Sequence, residues 1–153
     1  MVIYSALGDA YRRIDRDMEA IESYSKAINL ARERNKESWV TYFYRGMVFE
    51  KQKKYDEMEQ DFLKALELSP KQPDVLNFLG YSLVEQRRRF PEALKMIKTA
   101  AEERPENGYI IDSLGWIYYR LGNYQDAVQP MEKAVKLLPV DPIVNDHLGD
   151  VYW

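Results

Sequence analysis

The sequence predicts an all-α chain: a solenoid of antiparallel helix pairs stacked in chain order, about four and a half pairs in all. Three observations predict it. Glycine recurs at Gly8, Gly46, Gly80, Gly115 and Gly149, at intervals of 38, 34, 35 and 34 residues. Three residues after each comes a large apolar side chain, Tyr11, Phe49, Leu83, Tyr118 and Tyr152. A small residue returns in phase at Ala27, Ala65, Ala100 and Ala134, and a proline at Pro70, Pro105 and Pro139. A fixed period of this length is the mark of units that each bury one face against the next.

The first pair occupies residues 1–34, with Asp15–Asp17 as its turn. Four extra residues precede the second pair, within ARERNKESW. Four residues are close to one helical turn, so the second helix is expected to run one turn longer on the same face. The second pair, 39–72, carries Arg45 and Met58 at positions that elsewhere hold an apolar or small side chain. Arg45 must reach water or pair with an acid, and packing between the first two pairs is expected to be the loosest. The third pair, 73–106, opens with Pro73 at a first-turn position, where a missing N–H costs nothing, and Pro91 starts its second helix. In the fourth pair, 108–141, Pro130 lies inside the second helix and predicts a kink or local opening. Asp141-Pro142 reads as N-cap and first-turn proline of a terminal helix, 142–153, and the whole is expected to be a single array.

Glycine in a helix interior costs about 1 kcal/mol against alanine, so its recurrence needs a reason. Gly8 and its equivalents fall on the inner stripe of each first helix, and close approach of a second helix supplies that reason. Ala20, Ala93 and Ala127 are the expected small partners across the contact.

Composition narrows the function. With 22 Lys+Arg against 25 Asp+Glu the net charge is −3, which offers nucleic acid or anionic lipid no field. Zero cysteines remove disulfides, thiolate nucleophiles and cysteine-held zinc, and suit any compartment. No apolar run is long enough to span a bilayer, so direct membrane insertion is not expected. The start, MVIYSALGDAYRRI, lacks the plan of a signal peptide and opens inside a repeat, as a fragment cut from a longer chain would.

A catalytic or cofactor site finds little material. His147 is the only histidine, and Asp146, His147 and Asp150 make at best a poor metal set. No glycine-rich phosphate loop is present; Gly108 and Gly122, out of phase with the rest, fit turns. The run Arg87-Arg88-Arg89 reads as a solvated loop beside Glu85 and Glu92 rather than a phosphate site. The expectation is a protein that is not an enzyme and holds no cofactor or metal.

The aromatic, Leu-Gly, Tyr, Ala, aromatic, Ala, Pro succession resembles the tetratricopeptide repeat (TPR) over essentially the whole chain. It stands as Tyr4, Leu7, Gly8, Tyr11, Ala20, Tyr24 and Ala27 in the first copy, and as Leu79, Gly80, Leu83, Ala93, Ile97, Ala100 and Pro105 in the third. The fourth copy, SLGWIYYRLGNYQDAVQPMEKAVKLLP, matches best. The resemblance implies a right-handed superhelix and a protein-binding role. It also implies that a second stripe of each first helix, at positions 2, 5, 9 and 12 of the repeat, lines a concave groove. The expected peptide-binding residues on that stripe are Phe43, Met47, Asp74, Asn77, Tyr81, Tyr109, Asp112, Trp116 and Tyr119. Rigid rings with polar tips are what peptide hot spots are made of. The family's basic clamp for a C-terminal carboxylate is absent, since Ser5, Asp9, Tyr44, Asp74 and Phe78 stand at the clamp positions.

The third to fifth copies, with LNFLGYSLVEQRRRFPEALKMI, DSLGWIYYRLGNYQDAV and NDHLGDVYW, are also similar to the C-terminal repeats of bacterial TPR lipoproteins. Some of those are outer-membrane adaptors that deliver substrates to periplasmic proteases. That likeness implies a periplasmic or outer-membrane-associated bacterial protein; without it, the cytoplasm is the default. The alternative to a scaffold is self-association into a homo-oligomer, through apolar faces expected to be bare on the first helix (Val2, Ile3, Leu7) and the last (Leu148, Val151, Tyr152).

Overall fold

The structure, a computed structural model, describes all 153 residues. It holds nine helices and no strand: α1 (Val2–Arg13), α2 (Asp17–Glu33), α3 (Trp39–Lys51), α4 (Tyr55–Leu68), α5 (Pro73–Glu85), α6 (Phe90–Glu103), α7 (Gly108–Arg120), α8 (Tyr124–Leu137) and α9 (Pro142–Tyr152). They form two compact units, Met1–Pro70 with α1–α4 and Lys71–Trp153 with α5–α9. None is long and apolar enough to cross a membrane.

In all four pairs the first helix ends the same way. The backbone N–H groups of Arg16, Lys54, Arg88 and Asn123 donate to the carbonyls of Tyr11, Phe49, Leu83 and Tyr118, at 2.9, 2.9, 2.9 and 2.8 Å. Those acceptors are the large apolar residues three places after each in-phase glycine. The closure requires a left-handed residue just before the donor. Asp15, Lys53, Arg87 and Gly122 supply it, with φ of 59°, 58°, 56° and 80°. Only the fourth pair uses glycine, so the first three turns hold side chains in a conformation that L-residues disfavour.

The second helix of each pair presents one stripe at i, i+4, i+7. Ala20, Tyr24 and Ala27 in α2 are matched by Met58, Phe62 and Ala65 in α4, Ala93, Ile97 and Ala100 in α6, and Ala127, Met131 and Ala134 in α8, all buried. The glycines answer the large middle member of that stripe. A Cβ on Gly46 would lie 2.6 Å from Phe62 Cε1, and one on Gly115 would lie 2.7 Å from Met131 Cγ. The expected small-to-small contact is thus corrected: the glycine admits a large side chain, with the alanine carbonyl (Ala127 O, 3.2 Å from the same added Cβ) close behind. Gly149 has nothing within 4 Å of such a Cβ.

Several expectations resolve here. At 17 residues, α2 exceeds the 14 of α4, α6 and α8 by close to one turn, as the insertion predicted. Arg45 takes the acid: Nε and Nη2 donate to Asp61 Oδ2 and Oδ1, both at 2.7 Å, and Nη1 donates to Ser25 Oγ on α2 at 2.9 Å. Burial pushes the Asp61 carboxyl above its ordinary value, against the pull of the guanidinium. Between the first two pairs α2 packs on α3 as closely as α6 on α7 or α8 on α9, while α1 meets α3 over a smaller contact than α5 meets α7 or α7 meets α9, so only that part of the interface is looser. Helix α8 continues through Pro130 from Tyr124 to Leu137, with the Asp126 carbonyl losing the N–H donor that proline lacks. Gly108 is the first residue of α7 rather than a turn residue, and is buried where a Cβ would meet Leu138 Cγ at 2.6 Å. Val2, Ile3 and Leu7 are exposed as expected, but Val151 is buried against Ala127 and Met131, with Leu148 half-buried beside it. Of the expected bare face of α9, only Tyr152 is exposed.

Candidate functional site

In the second unit three helices turn one face each toward a common cavity of about 500 Å³. Helix α5 contributes Asp74, Asn77, Phe78 and Tyr81, spaced i, i+3, i+4, i+7. Helix α7 and its cap contribute Asn107, Tyr109, Ile110, Asp112 and Ser113, and α9 contributes Ile143 and His147. Caps fix where those faces begin. Asn107 Oδ1 accepts from the N–H groups of Tyr109 and Ile110 at 3.1 and 3.2 Å, and Asp141 Oδ1 accepts from Ile143 and Val144 at 3.0 and 3.1 Å. Pro73 begins α5 as expected.

Asp112 and His147 form the polar centre. Asp112 is 5% exposed, and its Oδ2 lies 2.8 Å from His147 Nδ1. A carboxylate only accepts, so Nδ1 is the donor. The imidazole stacks on Trp116 with ring centres 4.0 Å apart, and Trp116 stacks on Tyr119 at 5.1 Å. Trp116 Nε1 donates to Glu85 Oε1 at 2.8 Å, and Arg120 joins the same carboxylate at 3.3 Å. The histidine is therefore held from two sides. Two acceptors in this wall, Asn77 Oδ1 and Asp112 Oδ1, are buried without a hydrogen-bond partner from the chain.

Five of the nine residues expected in the groove line this cavity: Asp74, Asn77, Tyr81, Tyr109 and Asp112. Trp116 and Tyr119 stand behind His147 and brace it. Met47, in the first unit, borders a separate depression of about 290 Å³ with Arg12, Asp15, Val48, Glu50 and Lys51. Phe43 is a correction. It is 6% exposed, with its ring 5.8 Å from Phe62, 5.9 Å from Trp39 and 5.4 Å from Tyr44, so it is core. Its position on α3 is apolar and meets another ring, which buries it.

Phe78, Asn107, Ile110, Ser113 and His147 complete the cavity without having been expected there. The signal for His147 was its i, i+4 spacing from Ile143. The weak metal set is not assembled, because His147 turns inward while Asp146 and Asp150 are exposed, and no group of three His, Cys, Asp or Glu side chains is placed to hold an ion.

Family models described as tetratricopeptide repeat match residues 3–38, 40–72 and 79–142, together most of the chain. Among curated proteins, the chain is 33% identical over 132 residues to the TPR repeat-containing protein PA4667 of Pseudomonas aeruginosa, covering 86% of this chain and 20% of that protein. It therefore spans about a fifth of that relative's length. Among solved structures, Pseudomonas aeruginosa pilF superposes with a TM-score of 0.84 at 23% identity, over 97% of this chain and 66% of that one. YrrB, described as a TPR protein with an unusual peptide-binding site, superposes with a TM-score of 0.77 at 20% identity, over 95% of this chain and 72% of that one. At these identities the two structures speak for the fold.

Proposed function

This chain belongs to the tetratricopeptide repeat family, and on that premise we propose that it is an interaction scaffold that holds a segment of another polypeptide against α5, α7 and α9. One observation carries the reading. Three helix faces converge on a cavity walled by Phe78, Tyr81, Tyr109, Ile110 and Ile143, with a few fixed polar groups among them. That mixture of apolar area and sparse, oriented polarity is the usual make-up of a binding site. The peptide-binding site in the description of YrrB supports the same class of ligand. Asp74, Asn77, Tyr81, Tyr109 and Asp112 are the contact residues in this reading, with Trp116 and Tyr119 as their support.

A random-peptide display selection against the full chain tests it. Binders are expected to lose about 1–3 kcal/mol of affinity with Tyr81→Ala and with Tyr109→Ala. Selected peptides whose affinity survives both substitutions would place the contact elsewhere and overturn the assignment.

A further inference from the structure

We propose that the α5–α7–α9 cavity receives a basic side chain, lysine or arginine, from the bound polypeptide. The inference deepens the scaffold reading and rests on it. Two acids, Asp74 and Asp112, line the cavity, and neither a lysine nor an arginine does. Asp112 is 5% exposed, and only one of its oxygens is served, by His147. The other, Asp112 Oδ1, has no donor from the chain, and neither has Asn77 Oδ1 one turn into α5. Leaving a buried acceptor unmet carries a desolvation cost, and for a carboxylate oxygen it is severe. A ligand that brings several N–H donors and a positive charge answers both, provided the side chains around these buried oxygens shift enough to admit a donor.

The walls fit the rest of such a side chain. Ile143 suits a methylene stem, and Tyr81 and Tyr109 offer ring faces to a cationic head. Asp74 continues the negative charge at the start of α5, where Gln72 Nε2 lies 3.4 Å from its Oδ2. An acidic side chain is set against two carboxylates here, and a neutral apolar one leaves both acceptors unpaired.

The test uses defined probes on the full chain. Nα-acetyl-lysine amide and Nα-acetyl-arginine amide are titrated against Nα-acetyl-norleucine amide, which keeps the stem and lacks the charge. The readout is the methyl resonances of Ile110 and Ile143 and the ring resonances of Tyr81 and Tyr109. At least one basic probe is expected to bind about tenfold more tightly than the norleucine amide. Asp112→Asn is expected to remove most of that difference, and Asn77→Ala or the rim variant Asp74→Asn a smaller part, with unchanged helical circular dichroism as the folding control. Equal binding of the basic and norleucine probes, binding by none, or a preference that survives Asp112→Asn and Asp74→Asn would each overturn the proposal. The display selection separates the two readings. Peptides that depend on Tyr81 and Tyr109 but show no Lys or Arg requirement leave the scaffold standing and remove the basic-side-chain pocket.

Discussion

The residue three places before the in-phase glycine distinguishes α3, in the first unit, from α5 and α7, in the second. On α3 it is Phe43, which packs on Phe62 and closes the interior. On α5 and α7 it is Asn77 and Asp112, each lining the cavity and each with an oxygen that the chain leaves unpaired. Buried polarity follows the same division. Asp61 in the first unit has both oxygens taken by Arg45, whereas Asp112 has one oxygen on His147 and one left over. A single repeat geometry thus serves two ends. On α3 an apolar residue at this position becomes core, and on α5 and α7 a polar one leaves an acceptor unmet at a cost to the unit's own stability.

Substitution can break that contrast, most sharply at its apolar side. Phe43→Ala empties a filled site and is expected to cost about 3–4 kcal/mol in urea denaturation. Asn77→Leu, at the matching place in the second unit, is expected to cost nothing or to stabilise by about 1 kcal/mol, because it removes an unmet acceptor. A comparable loss at both positions would erase the distinction.

Next comes the ion pair. Asp61→Ala leaves the Arg45 guanidinium largely buried and unpaired, and about 3 kcal/mol of stability should go with it. Arg45→Leu in the same chain should restore most of that loss, so a double-mutant cycle measures how far polarity in the first unit depends on complete pairing.

Smaller effects are expected at the glycines. Gly115→Ala presses on Met131 and should lower stability by about 1–2 kcal/mol, whereas Gly149→Ala meets nothing and should raise it by up to about 1 kcal/mol. Thermal melts of the two variants moving in the same direction would refute the close-approach account. Smallest are the turns. Gly122→Ala should cost about 1 kcal/mol for placing a Cβ at φ of 80°, and Lys53→Gly should gain a few tenths by relieving a side chain at φ of 58°.

Much of this was legible along the chain. The glycine period marked the first helix of each pair and the alanine period the second, the insertion before Trp39 gave the longer α2, and Asp141-Pro142 marked the start of α9. The lining of the cavity was half legible. Helical spacing put Asp74, Asn77, Tyr81, Tyr109 and Asp112 on one stripe, and the cavity uses all five. The same spacing could not exclude Phe43, since a stripe says which way a residue points and not whether a ring such as Phe62 waits there. Spacing from Ile143 placed His147 on the same face, but its pairing depends on an acid 35 residues earlier, which spacing within one helix does not reveal.

Local periodicity and turn chemistry act between residues a few places apart, so the sequence alone determined the helices, their pairing and the residues on each face. Whether a face is filled, paired or left open depends on side chains brought from other helices. Only the tertiary structure could bury Phe43, join Arg45 to Asp61, and leave Asp112 with one oxygen satisfied and one waiting.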